Sequence, residues 1–104
     1  MNFTKLEKEA VNYLLSELMK VDGHTDIQEA ATLYEINRRL SISVNEAEES
    51  LSMTFEDSKR IVSIMGTDKK RYVLNLLSQM AATDGNIDLS EKELIKEIFS
   101  DSTN

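Results

Sequence analysis

Apolar residues recur every three or four positions along nearly the whole chain, the spacing of helices with one buried face. Leu6, Ala10, Tyr13, Leu14, Leu18 and Val21 make the first such stripe, predicting a helix from about Thr4 to Val21. A second helix is predicted to start at Asp26, with Ile27, Ala30, Leu33, Ile36 and Leu40 on one side. Ser43 with Glu46 reads as a capping box opening a short acidic helix through about Ser52. Thr54 followed by Asp57 marks a fourth start, with Ile61, Ile64 and Met65 facing inward and Gly66 as the stop. Thr67 opens a fifth helix with the stripe Val73, Leu76, Leu77, Met80 and Ala81. The sixth begins at Asp88 and carries Leu94, Ile95 and Ile98; the tail DSTN is expected to fray. With no proline and three glycines, the chain has few breakers. The expected fold is all-α, a compact bundle of about six to seven helices with loops of about two to five residues.

Two of the glycines belong to an internal repeat. Sliding the chain by 62 positions aligns Leu14–Ile36 with Leu76–Ile98 without gaps, and nine of the 23 pairs are identical. The identities include Asp22/Asp84, Gly23/Gly85, Asp26/Asp88, Glu29/Glu91 and Ile36/Ile98. Two related helical hairpins are therefore expected, packed with approximate two-fold symmetry inside one domain of 104 residues.

The repeated corner, D-G-x-x-D-x-x-E, admits two readings. Laid on a twelve-position calcium loop with Gly85 at position 6, Asp84, Asp88 and Glu91 fall at ligand positions 5, 9 and 12. Positions 1 and 3 are then Met80 and Ala82, or Leu18 and Lys20 in the first copy, and none of these ligates calcium. The corner is not an EF-hand. In the capping reading, glycine takes a left-handed turn, Asp26 or Asp88 is the N-cap, and Glu29 or Glu91 completes a capping box. Acids in a first turn also suit the helix dipole, by about 0.3–1 kcal/mol each. Yet Asp22 and Asp84 continue apolar rows, and Glu29 and Glu91 share faces with Leu33/Ile36 and Leu94/Ile95/Ile98. Acids turned partly inward must share hydrogen bonds with the turn backbone or share a cation. Asp22, Asp26, Glu29, Asp84, Asp88 and Glu91 are thus the candidate metal ligands, and all-oxygen ligands suit calcium, magnesium or manganese. Capping alone remains the alternative. Side-by-side hairpins would cluster six carboxylates at one end; head-to-tail packing would leave three at each corner.

Composition narrows the rest. Cysteine is absent, which excludes disulfides, thiolate catalysis and iron–sulfur centres. A formal net charge of −7 disfavours a nucleic-acid partner. The run Lys69–Arg71 is read as a solvated helix face or a dock for an acidic partner. No apolar run approaches the length of a membrane span, MNFTKLEKEA has no leader-like core, and a cytoplasmic location is expected. His24 sits in a turn with no nucleophile to activate; the aromatics are expected in the core or at its rim, and the methionines scatter over several helices without making a partner groove. With no tryptophan and no substrate-holding cleft in view, a two-carboxylate glycosidase is disfavoured and no catalysis is expected.

LLSQMAATDGNIDLSEKELIKEIF, with its diverged copy LLSELMKVDGHTDIQEAATLYEI, resembles the TerB-like family over about residues 4–100. That family includes bacterial tellurite-resistance TerB proteins and the N-terminal domain of certain membrane-anchored DnaJ-type co-chaperones. The resemblance implies a pseudo-symmetric helical bundle and a metal site at the six acids named above. Glu93, a further acid of the second corner, is Ala31 in the first. It also implies a stress-response or tellurite-resistance-related role, without any thiol or redox motif that could reduce tellurite. A protein partner of unknown identity follows from the competing reading, an adaptor module whose acids only cap helices.

Overall fold

The computed structural model describes residues 2–21, 27–83 and 89–100. Among them are six α-helices and no strand: α1 Lys5–Lys20, α2 Ile27–Arg39, α3 Val44–Ser50, α4 Phe55–Ser63, α5 Thr67–Ala81 and α6 Leu89–Ile98. Their starts are set by side chains that satisfy orphan backbone groups. Thr4 and Glu7 exchange hydrogen bonds of 3.1 and 2.8 Å, and Ser43 and Glu46 do the same at 3.1 and 2.9 Å. Thr54 Oγ1 accepts from the Asp57 N–H at 3.0 Å. Thr54→Ala should cost about 1 kcal/mol and lower the thermal midpoint by about 5 °C, because α4 would lose its first hydrogen bond. Gly66 precedes α5 with φ −65°, so its role there is N-cap rather than left-handed stop.

The centre of the molecule is α1. It packs on α3, α4 and α5, and more lightly on α2 and α6. Ala10, Val11, Leu14, Leu15 and Leu18 are completely buried, and Asn12 and Met19 nearly so. On a helical projection these positions cover slightly more than half the circumference, wider than the single stripe the sequence suggested. Val11, Leu15 and Met19 therefore belong to the core although they lie off that stripe, while Leu6 and Val21, at its ends, are exposed. Similar corrections hold elsewhere. Ile64 lies past the last turn of α4 and is 79% exposed, and its inward place is taken by Val62. Ala30 is exposed as well. The α5 stripe, in contrast, is buried as expected at all five positions.

The two copies of the repeat occupy equivalent surroundings. Leu14/Leu76, Leu15/Leu77, Leu18/Met80, Met19/Ala81 and Ile36/Ile98 are buried in both, whereas Ile27/Leu89 are 87% and 69% exposed in both. Ile27 was expected to face inward; as the first residue of α2 it precedes the turn that meets the core.

Between α2 and α3 the chain turns through a complete Schellman motif. The Ile42 N–H donates to the Asn37 carbonyl at 2.8 Å and the Ser41 N–H to the Arg38 carbonyl at 3.2 Å. Ser41 holds φ 58°, a left-handed conformation that a Cβ disfavours. Ser41→Gly should accordingly raise stability by about 0.5–1 kcal/mol in chemical denaturation, provided the Lys8 Nζ bond to the Ser41 carbonyl (3.2 Å) is kept.

Candidate functional site

Of the six predicted ligands, Glu29 and Glu91 are described. Each stands at the third position of its helix, α2 or α6, and each is nearly sealed from solvent, at 6% and 3% exposure. Glutamate is almost never so buried unless it is paired, hydrogen-bonded or bound to a cation. Neither residue is without an interaction partner. Asp22, Asp26, Asp84 and Asp88 lie outside the described residues, as do Gly23, His24, Gly85 and the DSTN tail. The predicted left-handed glycine turns and aspartate caps therefore also fall outside them. Among the described residues no three histidines or acids come together as a metal site.

A hydrogen bond relates the two corners. Thr83, the residue before Asp84, has its Oγ1 3.1 Å from Thr32 Oγ1 and 3.0 Å from the Gln79 carbonyl. One hydroxyl proton serves one acceptor, so Thr83 donates to the carbonyl and accepts from Thr32. Thr32 lies one helical turn beyond Glu29. The entrance to the second corner thus sits against the first turns of α2, on the same side of the molecule as the first corner's glutamate.

Three other features have the makings of a surface site. A groove of about 570 Å³ runs between α1, α2 and α3, lined by Asn12, Leu33, Tyr34, Val44, Ala47 and Leu51 among others. Tyr34, Val44 and Leu51 are largely exposed along it, and the Asn37 Oδ1 beside it is buried without a partner. A smaller, more polar pocket of about 440 Å³ is bounded by Asn2, Phe3, Lys8, Arg39 and Tyr72. The basic run of α5 is divided in its duties. Lys69 Nζ is 2.7 Å from Glu7 Oε1 and 5.4 Å from the Phe3 ring centroid, with Phe3 tilted against Tyr72 at 5.9 Å. Burial pushes the Glu7 carboxyl up, but Lys69 and the Thr4 N–H outweigh it and hold Glu7 below the ordinary glutamate value. Arg71 remains exposed.

Sequence reasoning missed the groove, because its apolar residues lie on separate helices and none forms a stripe by itself. It also missed Glu9, buried in α1 behind what reads as a solvated charge pattern, KLEKEA. Met65 and Met80 are buried as their stripes predict, and Met19 is buried off its stripe. Tyr34 is the exception among the aromatics, at 70% exposure.

Among the described residues no helix is long and apolar enough to cross a membrane. The fold is that of a known helical structure. A crystal structure of a protein of unknown function from Porphyromonas gingivalis superposes with a TM-score of 0.80 at 24% identity, covering 98% of this chain and 86% of that one. No protein-family model and no curated protein matches the chain.

Proposed function

We propose that this chain is a TerB-like, non-catalytic helical domain whose two acidic corners bind a divalent cation, with calcium the best match to an all-oxygen ligand set. The observation that carries this reading is the burial of Glu29 and Glu91 at matched positions, close to two aspartates each in sequence. The Thr83–Thr32 contact adds that the second corner begins beside the helix that bears Glu29. A corner that only capped its helix would be satisfied by an exposed acid, as Asp57 is in the first turn of α4. Asp22, Asp26 and Glu29, with Asp84, Asp88 and Glu91, would hold the ion; magnesium and manganese are the alternatives to calcium. A cation there would tie the start of α2 or α6 to the end of the preceding helix. Such a domain would work in the cytoplasm, in a stress-response or tellurite-resistance-related assembly, through a protein partner.

A second reading, an adaptor module whose acids only cap, draws on the apolar groove between α1, α2 and α3. The experiment that separates the two is thermal unfolding of metal-stripped protein with each ion in turn. An ion response lost in Asp84→Asn supports the cation site. Its absence with every ion leaves the capped corners and the adaptor reading.

A further inference from the structure

Among the described residues one buried acid, Glu9, belongs to neither corner. Glu9, in the second turn of α1, is 8% exposed, and its Oε2 is sealed from water with no hydrogen-bond partner. Glu9 lies one helical turn beyond Lys5 on α1, and Lys5 Nζ is 3.1 Å from Glu49 Oε2 on α3, so the two carboxyls face each other across the α1–α3 junction. Two ionised carboxylates set face to face repel and neither has a donor, whereas a proton between them turns the contact into a hydrogen bond. Glu9 is the member out of water and Glu49 is more than half exposed beside an ammonium, so the proton belongs on Glu9. Protonation also accounts for the unpartnered oxygen. In a neutral acid that atom is a carbonyl acceptor, far less costly to bury bare than half of a carboxylate charge.

We propose that Glu9 is held as the neutral carboxylic acid, donates its proton to the carboxylate of Glu49, and so clasps α3 onto α1 until rising pH removes the proton. The clasp reaches the surface, because α3 supplies Val44, Ala47 and Leu51 to one wall of the 570 Å³ groove. Deprotonation places two negative charges at the α1–α3 junction with Glu46 close behind them, and Lys5 is the cation beside the pair. Other cations near α1 are engaged elsewhere. Lys8 donates to the Ser41 carbonyl, Lys69 pairs with Glu7, and on α4 Lys59 and Arg60 pair with Glu56 and Asp57. The direction of titration agrees. Burial first, then the bond to Glu49 and its charge, push the Glu9 carboxyl above the ordinary glutamate value, while Lys5 and Glu9 hold Glu49 below it. For an acid whose value is raised on folding, the native state holds the extra proton. Its stabilising contribution is complete below the ordinary carboxylate value and is lost as pH rises through the raised one.

The test is a carboxyl ¹³C NMR titration of the intact protein, with Glu9 assigned by the loss of its signal in Glu9→Gln. Glu9 should titrate above an ordinary glutamate, and Glu49→Gln should bring it down, since the acceptor and its charge are gone. In parallel, amide exchange across residues 44–50 should accelerate with pH more than its intrinsic chemical rate requires, and Glu9→Gln should abolish the excess. A Glu9 that titrates at or below the ordinary value overturns the proposal. So does a raised value that Glu49→Gln leaves in place, which would mean burial alone and no shared proton. Should Glu9→Gln not fold, Glu9 is assigned through bonds in the wild type, and the titrations of wild type and Glu49→Gln stand by themselves.

Discussion

Leu15→Ala should be among the most damaging single changes in this protein, with a loss of about 2–5 kcal/mol and a fall in the thermal midpoint of about 10–30 °C. Leu15 is completely buried on the central helix, within the cluster that joins α1 to α2, α4, α5 and α6. Truncation removes three carbons' worth of transfer free energy and leaves a cavity. The neighbours are held by four other helices and can relax only in part, so the cavity cost is added to the transfer cost. Leu6→Ala is the paired control. The apolar stripe in the sequence counts Leu6 as core and passes over Leu15, whereas in the structure Leu6 is 54% exposed. Leu6→Ala should stay within about 0.5 kcal/mol of the wild type. Equal losses in the two variants would mean that α1 is an ordinary amphipathic helix and not the centre of the bundle. Urea denaturation followed by circular dichroism measures both.

Calcium at millimolar concentration should stabilise the metal-stripped protein by about 4 kcal/mol, if the corners hold a micromolar site. The magnitude follows from mass action, RT ln(1 + [L]/Kd), for an ion that binds the native state alone. In a domain of this size such a gain raises the midpoint by well over 10 °C. Glu91→Gln and Asp84→Asn should each weaken the response while preserving shape. The two substitutions also report on each other. If one ion is shared by both corners, a change in the second corner should abolish the response of the whole protein. If each corner binds its own ion, Glu91→Gln should halve the stoichiometry measured by calorimetry and leave the Glu29 corner responsive. A protein that melts at one temperature in calcium, magnesium, manganese and chelator alike has capped corners and no ion site. The apolar groove beside Tyr34 then becomes the place to look for a partner.

The way these features could be read from the sequence differs from element to element. The capping pairs Ser43–Glu46 and Thr54–Asp57 were visible because a cap is a contact over three residues, complete within its own stretch of chain. The α5 stripe was visible for a related reason. That helix buries one face only, so its periodicity records its surroundings directly. The repeat was visible as paired identities, and its consequence, matched burial at positions 62 apart, followed in the structure. Ser41 was not visible. A left-handed helix end is signalled by glycine, and here a serine holds it, secured by the Ile42 and Ser41 amide bonds. Glu9 was hidden because an acid in KLEKEA looks the same whether it faces water or a second carboxyl 40 residues away.

Local chemistry in the chain was therefore sufficient for the helical class and for the capped starts of α1, α3 and α4. Each of these depends on residues within a few positions of one another, where backbone geometry alone decides which side chains meet. Tertiary packing decided the rest: that α1 is buried over slightly more than half its circumference, that Ile64 and Ile27 face outward, that Thr83 meets Thr32, and that Glu9 shares its environment with Glu49. Those outcomes depend on which helices lie on which side of α1. Apolar burial favours any arrangement that removes enough surface from water, without direction. The choice among such arrangements is made by the fit of all six helices at once, and no single stretch of the chain contains it.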